Sequence, residues 1–91
     1  EKLFMSGSAP HILLVDDDAD IRFVLQDVLE HEGYVVSSAE NGEQALAFLG
    51  SQRAPSLILL DLMMPVMNGF EFRDRQMAHP DWAKIPVVVM S

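Results

Sequence analysis

Four aspartates carry most of the chemistry this sequence can offer. Asp16, Asp17 and Asp18 follow directly on the apolar run His11-Ile12-Leu13-Leu14-Val15, and Asp61 follows the run Leu57-Ile58-Leu59-Leu60. A charge at the end of a buried strand costs free energy unless something offsets it. Two carboxylates about 4 Å apart repel by roughly 4 kcal/mol at an effective dielectric near 20. Without a counter-charge, one of them should hold a proton. A divalent cation removes the conflict. The candidate ligands are hard oxygens and the chain has no cysteine, which favours Mg²⁺ with water completing its shell. An ion beside a carboxylate suits phosphoryl chemistry: the cation offsets charge on the moving group while a carboxylate oxygen attacks phosphorus.

Each acid also has a plainer reading, because an Asp after a strand is commonly a helix cap or turn former. Asp18 reads that way, since it stands just ahead of a helical pattern. Asp16, Asp17 and Asp61 do not: if their strands are neighbours, three acids meet at the edge where open parallel sheets bind ligands. Ser91 ends the run Pro86-Val87-Val88-Val89-Met90 at the same edge. Alone it reads as a turn residue; beside the acids its hydroxyl can donate to a bound phosphoryl oxygen. Met63, Met64 and Met67 read as apolar packing of a loop. His11 and His79 read as solvated, and Trp82 as a packed loop residue.

The elements that must position these groups follow from periodicity. A first strand ends at Val15. Ile21, Val24, Leu25, Val28 and Leu29 recur at helical spacing, with Asp27, Glu30 and Arg22 off the stripe. Asp18 caps that helix, His31 falls in its last turn and Gly33 is its C′ residue. Residues 34–38 read as a second strand. A second helix covers residues 43–49, turns Ala45, Leu46, Phe48 and Leu49 inward and ends near Gly50. Residues 57–61 read as a third strand, buried on both faces between Pro55 and the Pro65–Gly69 loop. A third helix follows over residues 70–78, and residues 86–91 form a fourth strand with Pro86 at its first position. This β-α-β-α-β-α-β alternation, with short connections and non-alternating apolar strands, predicts an α/β fold: a parallel sheet with helices on both faces.

Ninety-one residues with 49% hydrophobic content predict one small packed domain. Residues 1–10 read as a leader, or as an expression remnant ahead of a native start at Met5, and residues 11–91 as the domain. A formal net charge of −8 disfavours nonspecific contact with nucleic acid or anionic membrane. No apolar run reaches bilayer length, and the start does not resemble a secretory signal. The expectation is a cytoplasmic protein with no direct nucleic-acid or membrane partner.

Taken in order, Leu13-Leu14-Val15-Asp16-Asp17-Asp18, then Leu59-Leu60-Asp61-Leu62-Met63-Met64-Pro65 with Gly69, then Pro86-Val87-Val88-Val89-Met90-Ser91 resemble the receiver domain of two-component response regulators. The resemblance runs from His11 to Ser91. It implies a flavodoxin-like doubly wound sheet of order 2-1-3-4-5. It also implies that Asp61 is the phospho-acceptor, taking a phosphoryl group from a phosphohistidine on a sensor histidine kinase. Asp17, Asp61 and the backbone carbonyl of Met63 would coordinate Mg²⁺ directly, and Asp16 through water. Ser91 would be the switch hydroxyl, and Pro65 and Gly69 would shape the loop after the acceptor. Phosphorylation would then bias a two-state surface read by an output domain or partner. On this reading the domain is no enzyme beyond its own phosphorylation and dephosphorylation.

The family fold continues past strand four with a helix, a fifth strand and a last helix, and its phosphate-binding lysine ends that fifth strand; the sequence stops before them. Lys84 is no substitute, because it precedes strand four, roughly 20 Å from Ser91 at about 3.3 Å per strand residue. The fourth strand is therefore expected to be an exposed apolar edge, inviting oligomerisation or strand exchange, and the first helix to lack a packing neighbour. This span alone is expected to bind Mg²⁺ weakly and to be phosphorylated poorly by small phosphodonors. Two rival functions follow. One is a pseudo-receiver that serves only as an interaction module, against which the intact acids argue. The other is a Mg²⁺-dependent phosphohydrolase with an aspartate nucleophile; haloacid-dehalogenase-like enzymes of that kind carry a second Asp where this chain has Met63.

Overall fold

The computed structural model describes residues 9–90. Strands and helices alternate as β1 (His11–Val15), α1 (Ala19–His31), β2 (Val35–Ala39), α2 (Gly42–Ser51), β3 (Leu57–Leu60), α3 (Gly69–Ala78) and β4 (Val87–Val89). The strands make one parallel sheet in the order β2-β1-β3-β4. The chain steps one way from β1 to β2, then back across β1 to β3 and on to β4. Right-handed crossovers therefore put α1 on one face and α2 and α3 on the other, where α2 and α3 pack together. This is the flavodoxin-like architecture expected of the sequence.

Residues Ile12 to Val15 of the central strand β1 are 0–2% exposed, as a strand covered on both faces requires. The main core lies under α2 and α3, where Leu13, Val15, Ile58 and Leu60 meet Ala45, Leu49 and Phe72. The opposite face is thinner. The α1 stripe is as expected in position, but no residue of α1 is buried, and Ile21, Val24 and Val28 remain 44–56% exposed. For the same reason β3 departs from the expectation of two buried faces. Ile58 and Leu60 are fully buried towards α2 and α3, whereas Leu57 and Leu59 are half-buried, because α1 lies over β1 and β2.

Local signals set the helix ends. The Asp18 carboxylate accepts the N–H groups of Asp20 at 2.9 Å and Ile21 at 3.2 Å. At the other end of α1, Gly33 takes a φ of 101°. Its N–H donates to Glu30 O at 3.0 Å and that of Tyr34 to Leu29 O at 3.1 Å, the paired bonds of a Schellman motif. At α3, Asn68 accepts the Glu71 N–H at 2.9 Å while Glu71 Oε1 accepts the Asn68 N–H at 3.1 Å, a complete capping box.

Several boundaries differ from expectation by a residue or two. The second strand is shifted by one and ends at Ala39, because Asn41 caps α2 and lets it start at Gly42. The third strand stops at Leu60, leaving Asp61 just past it. The helix opened by Gly69 includes Gly69. The fourth strand is shorter than expected, Val87–Val89, although the Met90 N–H still pairs with Leu60 O at 2.9 Å. Neither His11 nor His79 is simply solvated. His11 Nε2 lies 2.8 Å from Ser37 Oγ, and its ring meets Phe48 edge-on at 5.6 Å. His79 stacks on Trp82 at 3.9 Å. Residues 1–8, most of the expected leader, and Ser91, the expected switch hydroxyl, lie outside the described residues.

Candidate functional site

Strand pairing continues one residue past the strand ends and brings the acids together. Val15 is in register with Leu60. The next residue on each strand is then locked: the Asp61 N–H donates to Val15 O at 2.9 Å, and the Asp16 N–H to Ala39 O at 3.1 Å. Asp16 and Asp61 thus sit side by side at the carboxyl edge of the sheet, with Asp17 one residue further along.

Asp16, Asp17 and Asp61 form a group able to hold a metal ion, with one carboxylate oxygen from each lying within 4.8 Å of the others. Asp17 is exposed, but Asp16 is 5% and Asp61 7% exposed. Burial pushes the Asp16 carboxyl above the ordinary aspartate range. The Asp18 N–H bound to it pulls the other way, and the neighbouring charges of Asp61, Asp17 and Asp18 add to the rise. A divalent cation among three hard oxygen donors meets both the desolvation and the repulsion, so the donor set fits Mg²⁺ or a similar ion.

Backbone ties orient the acids. The Asp18 N–H donates to Asp16 Oδ1 at 2.9 Å and the Met63 N–H to Asp61 Oδ1 at 3.1 Å. Met64 and Met67 pack on the core as expected of loop methionines, whereas the Met63 side chain is 74% exposed. The backbone of Met63, rather than its side chain, addresses the Asp61 carboxylate.

The loop from Asp61 to Gly69 is cinched at both ends. The Gly69 N–H donates to Leu62 O at 2.9 Å, and a Cβ on Gly69 would lie 2.6 Å from Asp61 O and 2.7 Å from Leu62 Cα. Only glycine permits that approach. Further along, the Gly42 N–H at the start of α2 donates to Met67 O at 2.8 Å. Between these ties the Met67 N–H reaches back to Pro65 O at 2.7 Å around Val66, whose φ is 67°. This is the strained form of the γ-turn, on a β-branched residue.

The expected trio of side chains is assembled as the sequence implied. Arg22 was read only as a polar position off the α1 stripe. It folds back and donates from Nη1 to Asp16 O at 2.6 Å. The available signal was a cation one helical turn beyond the cap of a helix that follows an acid cluster.

Comparison with known proteins agrees with this geometry. Residues 12–91 match the response regulator receiver domain family. Two-component response regulator ORR5 of Oryza sativa subsp. japonica is 38% identical over 85 residues, 93% of this chain and 63% of that protein. The chain thus spans a little under two thirds of the rice regulator's length. The signal receiver domain of a signal transduction histidine kinase from Syntrophus aciditrophicus superposes with a TM-score of 0.86 at 35% identity, over 91% of this chain and 62% of that one. The Mn²⁺-bound form of response regulator Rcp1 gives a TM-score of 0.79 at 35% identity, over 88% and 63%. Among the described residues, no helix is long and apolar enough to cross a membrane. With its sheet order, its gathered acids and a family match over nearly the whole chain, this polypeptide belongs to the receiver domains of two-component response regulators, a family of signalling modules.

Proposed function

We propose that the domain accepts a phosphoryl group on Asp61 from a phosphohistidine of a sensor histidine kinase, with Mg²⁺ bound at the acid cluster. The observation that carries this reading is the meeting of Asp16, Asp17 and Asp61 within 4.8 Å, two of them buried. In the transfer, an Asp61 carboxylate oxygen forms the new P–O bond as the P–N bond breaks, and the imidazole leaves with its electron pair and takes a proton. The bound cation supplies charge neutralisation on the moving phosphoryl group.

The chain's own residues do the rest. Asp17 and Asp61, with the Met63 carbonyl, would hold the ion directly, and Asp16 would hold it through water. The Met63 N–H on Asp61 Oδ1 orients the acceptor carboxylate, and the buried sheet edge keeps bulk water off it. Ser91, two residues past β4 in sequence, is assigned the switch hydroxyl by family likeness. The Mn²⁺-bound relative supports a divalent ion in this fold. Phosphorylation then changes a surface read by an output domain or partner protein.

The test is phosphotransfer from a labelled histidine kinase to the natural-length protein, with Mg²⁺ or with EDTA. Label should appear in the unsubstituted protein with Mg²⁺ and be absent with EDTA and in Asp61→Ala. Equal labelling of Asp61→Ala would refute the assignment.

A further inference from the structure

Arg22 lies outside the acid trio and yet is fastened to it. Its side chain is 16% exposed and crosses the first turn of α1 to reach the carbonyl of Asp16 at 2.6 Å. A guanidinium N–H on an oxygen at that distance is a strong, charge-assisted bond. Its other nitrogen is 3.9 Å from Glu40 Oε2 just after β2, a loose contact with a carboxylate that is 62% exposed and therefore worth little.

The carbonyl that Arg22 holds belongs to the planar peptide unit joining Asp16 to Asp17. Fixing its direction constrains ψ of Asp16 and φ of Asp17, and so the directions in which the two side chains leave the backbone. The Asp18 N–H on Asp16 Oδ1 closes an Asx-turn around that peptide but makes no bond to its carbonyl, which Arg22 holds. The bond that Arg22 makes at this end is to a backbone oxygen, so it acts on the path of the main chain between the two acids.

We propose that Arg22 is a positioning residue for the metal-binding pair, holding the Asp16–Asp17 peptide so that both carboxylates address one cation. The metal half of this inference rests on the function proposed above; the backbone half does not.

The test uses the natural-length protein and its Arg22→Met, Arg22→Lys and Glu40→Gln variants. Mg²⁺ affinity is read by calorimetry. Removing a group that orients ligands from behind should weaken Mg²⁺ binding about tenfold in Arg22→Met. Arg22→Lys should recover to within about threefold, because one carbonyl needs one donor. Glu40→Gln should stay within about twofold, as a loose exposed pair predicts.

The second readout needs no metal. It is the exchange rate of the Asp18 amide in EDTA, read beside that of Leu14 in β1, which reports global opening. The Asp18 rate should rise about fivefold or more in Arg22→Met while staying faster than that of Leu14, and return towards the unsubstituted value in Arg22→Lys. An Asp18 rate in Arg22→Met that is unchanged or no faster than that of Leu14, or Mg²⁺ affinity in that variant equal to the unsubstituted protein's, overturns the proposal. If the unsubstituted protein takes up no Mg²⁺, the metal reading fails, and the exchange rates alone decide whether Arg22 holds the peptide.

Discussion

Burial and like charge act together on Asp16, and the sign of their effect on stability can be worked out. A carboxyl whose pKa is raised by folding above its model value of 3.8 binds its proton more tightly folded than unfolded. The metal-free domain should therefore lose stability as pH rises from about 4 through the raised value. Asp16→Asn keeps an oxygen for the Asp18 N–H and removes the charge. In EDTA at neutral pH it should be more stable than the unsubstituted protein by on the order of 1 kcal/mol, or about 4–8 °C in Tm for a domain this size. The gain should vanish below about pH 4 and shrink when added Mg²⁺ stabilises the unsubstituted protein more than the variant, which has lost one charge beside the ion. Thermal melts at several pH values check all three. Val66 offers a second case. A β-branched residue at a φ of 67° carries about 1–3 kcal/mol of strain, against about 0.5–1 kcal/mol of added chain entropy for glycine. Val66→Gly should raise stability by about 1 kcal/mol, and a fall in the denaturant midpoint would count against the strain. The acids were legible in the sequence because each follows an apolar run that can only be a strand. Val66 was not, since nothing in its neighbours announces a left-handed backbone.

Among the elements, the loop between β3 and α3 is the most tightly specified. Gly69→Ala would put a methyl group 2.6 Å from Asp61 O, and helix and loop would have to part. We expect a loss of about 1–3 kcal/mol together with weaker Mg²⁺ binding. Gly50→Ala is the control, since a Cβ there meets nothing within 4 Å and alanine favours the helix; equal losses in the two variants would rule out the steric account. The order of strands and helices was readable because apolar runs and helical stripes alternate cleanly between Gly and Pro punctuation. Gln76 shows where such reading stops. A polar residue in α3 reads as solvent-facing, yet Gln76 is 0% exposed. Its amide nitrogen donates to Trp82 O at 2.9 Å and Ile85 O at 3.1 Å, and its oxygen accepts from Arg73 at 2.8 Å. Such an amide is satisfied only by a turn that folds back on it, and local sequence does not disclose that. It ties the α3–β4 turn to the helix and so sets where β4 enters the sheet.

The molecule as a whole is unevenly covered. The α2 and α3 side is closed over a continuous core, whereas α1 leaves an apolar stripe half exposed and, within the described residues, β4 pairs only with β3. Val88 and Val89 are 49% and 51% exposed along that edge. A polypeptide of residues 1–91 taken alone is expected to self-associate through β4 in spite of its charge. Val88→Lys should shift it towards monomer in analytical ultracentrifugation, and an unchanged distribution would move the contact elsewhere. The apolar run marked the fourth strand, and its place at the edge followed from the strand order that the family resemblance implied; the incomplete cover over β3 was not legible, because it depends on where α1 comes to lie. The turn that leads into β4 has one more use. Trp82 is the sole tryptophan, and it lies flat against the His79 imidazole at 3.9 Å and 9°. Its emission is a built-in optical gauge of that turn: the stacked imidazole should quench it, and the quenching should lift when the two rings come apart, with no dye or label attached.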